Sequence, residues 1–327
     1  MKIGIVGCGA LGCFYGARLC RIGQDVHLLL RSDFAAVRDN GLRIRSEDGE
    51  QLMHPHAYDD PADIGECDLV IVGLKTTAND RYAELISPLL DNDTAILCLQ
   101  NGLGNCEQLG ELFGAKRVMG GLCFVCLNRT APGVVQHIAF GKIVMGNLGR
   151  PPTDRLRAIA EMFKTTRIPC EVVDNLERGQ WEKLVWNIPF NGLGVAATAG
   201  LKALDSAGKI IPDNLGPVLT TGQLLGDPKW EAWVRGLMAE IINAANAKGL
   251  DIDPDLLERM LEYTRNMEEY RASALIDFER GQPLEMESIF LEPLRQASAA
   301  GIDAPRLEAL CGVLSILDRR SSLSPGR

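Results

Sequence analysis

The chain's 327 residues exceed the roughly 100 to 200 of a single domain, so two domains with separate cores are expected. With 46% hydrophobic and 24% charged residues it is neither disordered nor fibrous, and a formal net charge of -9 argues against a nucleic-acid partner, which needs a basic surface. No uninterrupted apolar run of 18 residues marks a membrane span, and the first residues enter a strand-like run directly, so a cytoplasmic protein without a membrane partner is expected.

Lys2 to Val6 reads as a buried strand, and Gly7-Cys8-Gly9-Ala10-Leu11-Gly12 then opens a stretch to Ile22 whose apolar residues have helical spacing. In this order Gly7 permits the tight turn, Gly9 lets the backbone approach a pyrophosphate, and Gly12 lets the helix pack closely on the strand. The helix N-terminus adds free N–H groups and a favourable dipole, so Gly7, Cys8, Gly9, Ala10, Leu11 and Gly12 are the candidate dinucleotide cradle. Asp25 to Leu30 supplies the second strand at the expected distance, which raises the motif well above a lone GxGxxG. An acid usually ends that strand in NAD enzymes, but here Arg31 stands 19 residues after Gly12 (31 minus 12). A guanidinium suits a 2′-phosphate, so NADP(H) is the expected cofactor, with Asp33 the nearby residue that argues the other way.

His54 and His56 flank Pro55 without a carboxylate or cysteine at a recognisable ligand spacing, so a surface loop and no metal are expected. Asp68 to Lys75 and Asp93 to Gly102 each read as a buried strand ending in polar residues, where ligands of parallel sheets collect. Lys75, Gln100 and Asn101 are therefore cofactor-contact candidates. Further strands are expected between Arg117 and Gly146. The ten cysteines have no framework spacing, and the pair Cys123 and Cys126 sits in an apolar run, so reduced, mostly buried thiols are expected.

A polar run from Asp174 to Gly179 suggests a boundary, giving an α/β, Rossmann-like dinucleotide-binding domain over 1–175 and a mostly helical domain over 176–327. From Trp181 to Ala199 the chain is largely apolar, yet Lys183, Asn187 and Asn191 recur every four residues and share one helix face. Such a stripe is costly to bury without partners, so it is expected to line a wet cleft between the halves, with Pro189 bending the helix or releasing the carbonyl of Val185. Helical periodicity continues from Trp230 to Lys248, from Leu256 to Glu279, and from about Glu285 to Ala300, and the tail from Ser321 to Arg327 should fray.

Taken in order, Gly7-x-Gly9-x-x-Gly12, Leu74-Lys75, Gln100-Asn101-Gly102, Pro132-Gly133 with His137, Trp181-x-Lys183 with Asn187 and Asn191, and Ser273 ahead of Glu285 resemble the ketopantoate reductase family across nearly the whole chain. The resemblance implies NADPH-dependent reduction of a 2-oxo acid, ketopantoate, to pantoate on the way to pantothenate. It implies Lys183 as the catalytic general acid, with Glu285 contacting both the lysine and the cofactor. It further implies Asn187, Asn191 and Ser273 as substrate-binding residues, with Asn101 spanning cofactor and substrate. Two features depart from the family: Gly200-Leu-Lys-Ala-Leu-Asp205 stands where a further asparagine is usual, and Leu201 to Asp227 is longer than the usual connection. The alternatives are a reductase of another 2-oxo acid on the same fold and a non-catalytic NADP(H) sensor, which would not need Lys183. A homodimer through the helical domain is expected.

Overall fold

The computed structural model describes residues 1–47, 49–267 and 270–322. The chain divides into two compact units, Met1–Leu176 and Glu177–Arg327.

The first unit is built on β1 (Lys2–Val6), β2 (Asp25–Leu29), β3 (Leu42–Ser46), β4 (Gly49–Met53), β5 (His56–Tyr58), β6 (Leu69–Val72), β7 (Ala95–Cys98), β8 (Val118–Ala131), β9 (Val134–Asn147) and β10 (Cys170–Val172). They form one sheet in the order β4-β3-β9-β8-β7-β6-β1-β2-β5, with β10 beside β9. From β8 through β7, β6, β1 and β2 to β5 the strands run parallel, while the β8–β9 and β3–β4 pairs are antiparallel. Helices α1 (Ala10–Arg21), α2 (Phe34–Asn40), α3 (Tyr82–Ile86), α4 (Asn105–Phe113) and α5 (Asp154–Thr165) connect them.

Alternation along each strand feeds two cores, which is why the parallel strands read as unbroken apolar runs. Ile3, Ile5, Leu69, Ile71 and Leu97 pack with Phe14, Leu19, Ile159 and Phe163 of α1 and α5. On the other face Val6, Val70, Val72 and Ile96 pack with Tyr82, Ile86 and Leu109 of α3 and α4. The chain goes from β1 to β2 on one side and then to β6 on the other, so the sheet's switch point falls between β1 and β6. Ligands of doubly wound sheets bind at the carboxyl ends of strands flanking such a point.

The second unit consists of α6 (Leu176–Ala196), α7 (Leu201–Asp205), α8 (Thr221–Gly226), α9 (Pro228–Ala247), α10 (Leu256–Arg265), α11 (Ser273–Glu279), a π-helical turn (Glu287–Leu291), α12 (Glu292–Ala299) and α13 (Pro305–Ser322). Helix α6 buries Trp181, Leu184, Val185, Ile188, Phe190 and Leu193, so it is apolar nearly all round. A Cβ at Gly192 would lie 2.6 Å from Leu310 and 2.9 Å from Phe290, so the glycine lets α6 and its neighbours approach closely. The helix does not end at Pro189.

Some expectations need correction. His56 opens an edge strand rather than lying in a loop, because His27, Leu28 and Leu29 offer it a parallel partner. The Leu256 to Glu279 helix is two helices, and Ser273 starts the second. The helix expected from about Glu285 starts at Met286 and passes through a π turn, Glu287–Leu291, before continuing as α12. Of the tail expected to fray, α13 takes in Ser322, and 323–327 lies outside the described residues. The long Leu201 to Asp227 segment is ordered: Leu219 N–H donates to Gly194 O at 3.0 Å, Thr220 and Gln223 form a capping box, and Asp227 caps α9.

Candidate active site

In the first unit Gly7 to Gly9 forms the turn between β1 and α1, and Ala10 to Gly12 opens the helix. Gly7 has φ +96°, and a Cβ there would fall 2.2 Å from the Leu74 backbone nitrogen. The turn after β1 is thus pressed against the turn after β6, across the switch point, and only glycine satisfies both the left-handed backbone and the space. A Cβ at Gly12 would lie 2.5 Å from Gly7 O. Cys8 of the turn and Ala10 and Leu11 of the helix's first turn are half-buried, while Gly9 is exposed.

Lys75 is exposed where β6 gives way to the Thr76–Arg81 turn, and Arg31 is exposed beyond the end of β2. Asn101 is half-buried after β7, and its carbonyl accepts from Asn105 Nδ2 at 2.9 Å. Gln100 is buried beneath it. Its Nε2 donates to Asn79 Oδ1 at 2.9 Å, and Asn79 Nδ2 donates to Asn105 Oδ1 at 2.8 Å and Gln108 Oε1 at 3.2 Å. Gln100 is therefore committed to an amide network joining the turn after β6 to the turn after β7.

In the second unit Lys183, Asn187 and Asn191 lie along α6, the lysine half-buried and both asparagines buried. Asn191 Oδ1 accepts from the Ala274 N–H at 3.0 Å and the Ser273 hydroxyl at 3.3 Å, while its Nδ2 donates to Asn187 O at 3.0 Å. The structure thus brings Asn187, Asn191 and Ser273 together, and Asn191 caps the start of α11. Glu285 is buried just ahead of the π turn, and its carbonyl accepts from Ile289 N–H at 3.2 Å.

The comparisons with known proteins bear on both units. The family described as Ketopantoate reductase PanE/ApbA matches residues 3–150, and Ketopantoate reductase PanE/ApbA C terminal matches residues 218–318. A 2-dehydropantoate 2-reductase from Nostoc sp. is 38% identical over 98% of this chain and 96% of its own length. This chain belongs to the ketopantoate reductase family. Among solved structures, a 2-dehydropantoate 2-reductase from Geobacter metallireducens GS-15 is similar at TM-score 0.87 and 45% identity, covering 97% of this chain and 99% of that one. Another, from Methylococcus capsulatus, has TM-score 0.86 and 29% identity over 99% of each chain.

The residues present fit the dinucleotide that ketopantoate reductases use. A Cβ at Gly9 would meet nothing within 4 Å, so the loop faces open space there, and Gly9 is the N-cap of α1, which has no side-chain cap. Its first-turn N–H groups are oriented for phosphate oxygens.

Two further features escaped the sequence. Asp33, itself buried, ties the turn after β2 to Arg129 and Gly133 of the β8–β9 hairpin, for which the Pro132-Gly133 turn was the available signal. Asp25, His27 and His56 come within 4.8 Å of one another because parallel pairing sets His27 beside His56. Both imidazole Nε2 atoms address one oxygen, Asp25 Oδ1, at 2.9 and 3.4 Å. Eight of the ten cysteines are buried. Burial pushes Cys67 and Cys170 up to about 11 and Cys311 up to about 12, so none of these three is an activated nucleophile at neutral pH.

Proposed function

We propose that this chain reduces 2-dehydropantoate to pantoate with NADPH, a step towards pantothenate. The observation that carries the reading is the full-length relationship to the Nostoc 2-dehydropantoate 2-reductase, 38% identical over 98% of the chain. In this reading residues 1–175 bind NADP(H) and 176–327 bind substrate and carry the acid. The cofactor, when bound, supplies a hydride to the ketone carbon.

The loop of Gly7, Cys8, Gly9, Ala10, Leu11 and Gly12 holds the pyrophosphate, with α1 contributing N–H groups. Arg31 takes the 2′-phosphate, and Lys75 and Asn101 hold the cofactor from the ends of β6 and β7. Lys183 donates a proton to the oxygen as negative charge develops there, and its ammonium stabilises that charge beforehand. Glu285 orients the ammonium and contacts the cofactor. Asn187, Asn191 and Ser273 bind the substrate's hydroxyl and carboxylate. Both lone pairs of Asn191 Oδ1 are engaged by Ser273 and Ala274, so Asn191 acts through its remaining N–H and by fixing Ser273. A cytoplasmic location is supported by ten cysteines that stand outside disulfides, and a homodimer is the assembly we assign, read by light scattering.

The test follows NADPH oxidation with 2-dehydropantoate and with branched, aromatic and linear 2-oxo acids, on the wild type and Lys183→Ala. Loss of a general acid should lower kcat about 10²- to 10⁴-fold while NADPH still binds. Preferred turnover of another acid would replace the substrate assignment. NADPH binding with no turnover of any acid would favour a sensor.

A further inference from the structure

Asp33 stands where a carboxylate would ordinarily favour NAD, and the structure shows how its charge is spent. The side chain is only 4% exposed. Oδ1 accepts from the Ser32 hydroxyl at 2.9 Å and from Arg129 Nη1 at 2.9 Å, and Oδ2 accepts from the Gly133 N–H at 3.0 Å. Three of about four acceptor positions are therefore filled from inside the unit, and the carboxylate is closed to a ribose hydroxyl.

Arg129 is used only in part. Its side chain is 44% exposed, and the same Nη1 lies 3.3 Å from Ser32 Oγ. A guanidinium has five N–H donors in a planar fork, so the remaining ones are available on the exposed side. The hairpin thus delivers a second arginine to Ser32, the residue next to Arg31, at the carboxyl end of β2.

We propose that Arg129 is a specificity-determining residue: with Arg31 and Ser32 it forms an anion site for the 2′-phosphate of NADP(H), and its contact with Asp33 keeps that acid from repelling the phosphate. The inference rests on the reading of the chain as an NADP(H) enzyme and deepens it. A hairpin from the far side of the sheet order thereby does what a single residue after β2 cannot, because Arg31 alone would face an uncompensated neighbouring carboxylate. The buried Gly133 bond sets the hairpin's position, and Arg129 sets the charge.

NADPH and NADH differ only at the 2′ position, so their dissociation constants isolate the claim. They are measured by cofactor fluorescence without any keto acid, on the full chain, for the wild type and Arg129→Gln, which removes the charge and keeps a polar side chain. Losing one charge-assisted contact should weaken NADPH about tenfold and leave NADH within about threefold. Added salt should erode the wild type's preference more steeply than the variant's. If Arg129→Gln does not fold, Arg129→Lys, which keeps the charge without the fork, should again weaken NADPH and spare NADH. Equal losses for both cofactors would reduce Arg129 to a pin for the hairpin, and an unchanged preference would remove it from the site. A wild type that does not prefer NADPH would instead overturn the NADP(H) reading itself, which separates the two failures.

Discussion

Asn191 shows how a residue legible as functional can turn out to hold the frame. Its four-residue spacing from Asn187 and Lys183 marks a polar stripe, but spacing does not reveal that a helix start 82 residues away completes its hydrogen bonds. Replacing Asn191 with Ala would strand the buried Ala274 N–H, otherwise satisfied, at a cost of about 1–3 kcal/mol. Ser273→Ala removes an exposed hydroxyl and its long 3.3 Å bond, while the Ala274 N–H still pairs Asn191 Oδ1, so it should leave the urea midpoint nearly unchanged. Both variants should raise KM for the keto acid, but only Asn191→Ala should shift the unfolding curve. An Asn191→Ala protein as stable as the wild type would mean that α11 is not capped by this side chain.

At the scale of elements, the ends of β6 and β7 are coupled through Asn79, Gln100 and Asn105. Asn79, in the turn after β6, accepts from Gln100 and donates to Asn105, both beyond β7, so it acts as a positioning residue for Lys75 and Asn101. Asn79→Ala should raise the NADPH dissociation constant about three- to tenfold with little change in kcat, in line with one or two lost neutral hydrogen bonds. A fall in kcat with unchanged NADPH binding would contradict that role, and recovery in Asn79→Gln would support it. The parallel strands themselves were legible because burial on both faces demands unbroken apolar runs such as Leu69–Val72. The break between α10 and α11 was not, since α11 takes its cap from the remote Asn191 and carries no local stop signal. His56 was misread for a similar reason: three residues are too few to show alternation, and β5 exists only because β2 is beside it.

For the whole molecule, composition was informative about the thiols. Cysteines scattered through apolar segments implied burial, and eight of the ten are buried. Their burial has a consequence for alkaline stability. Cys67 and Cys170 are pushed from 9.0 up to about 11, and Cys311 up to about 12, in each case chiefly by removal from water. Above pH 9 the unfolded chain releases these protons while the folded chain retains them, so the folded state binds more protons and stability falls as pH rises. The contribution is intact below pH 9 and is lost progressively towards about 11 for Cys67 and Cys170 and about 12 for Cys311. Urea unfolding under reducing conditions should therefore show a lower midpoint at pH 10 than at pH 8. Replacing Cys311 with Ala removes one titrating group and should shrink that difference, whatever its effect on stability at pH 8. An equal drop in the variant would mean that the Cys311 thiol is solvated in the folded protein, and that its burial among the apolar side chains of α13 is not maintained in solution.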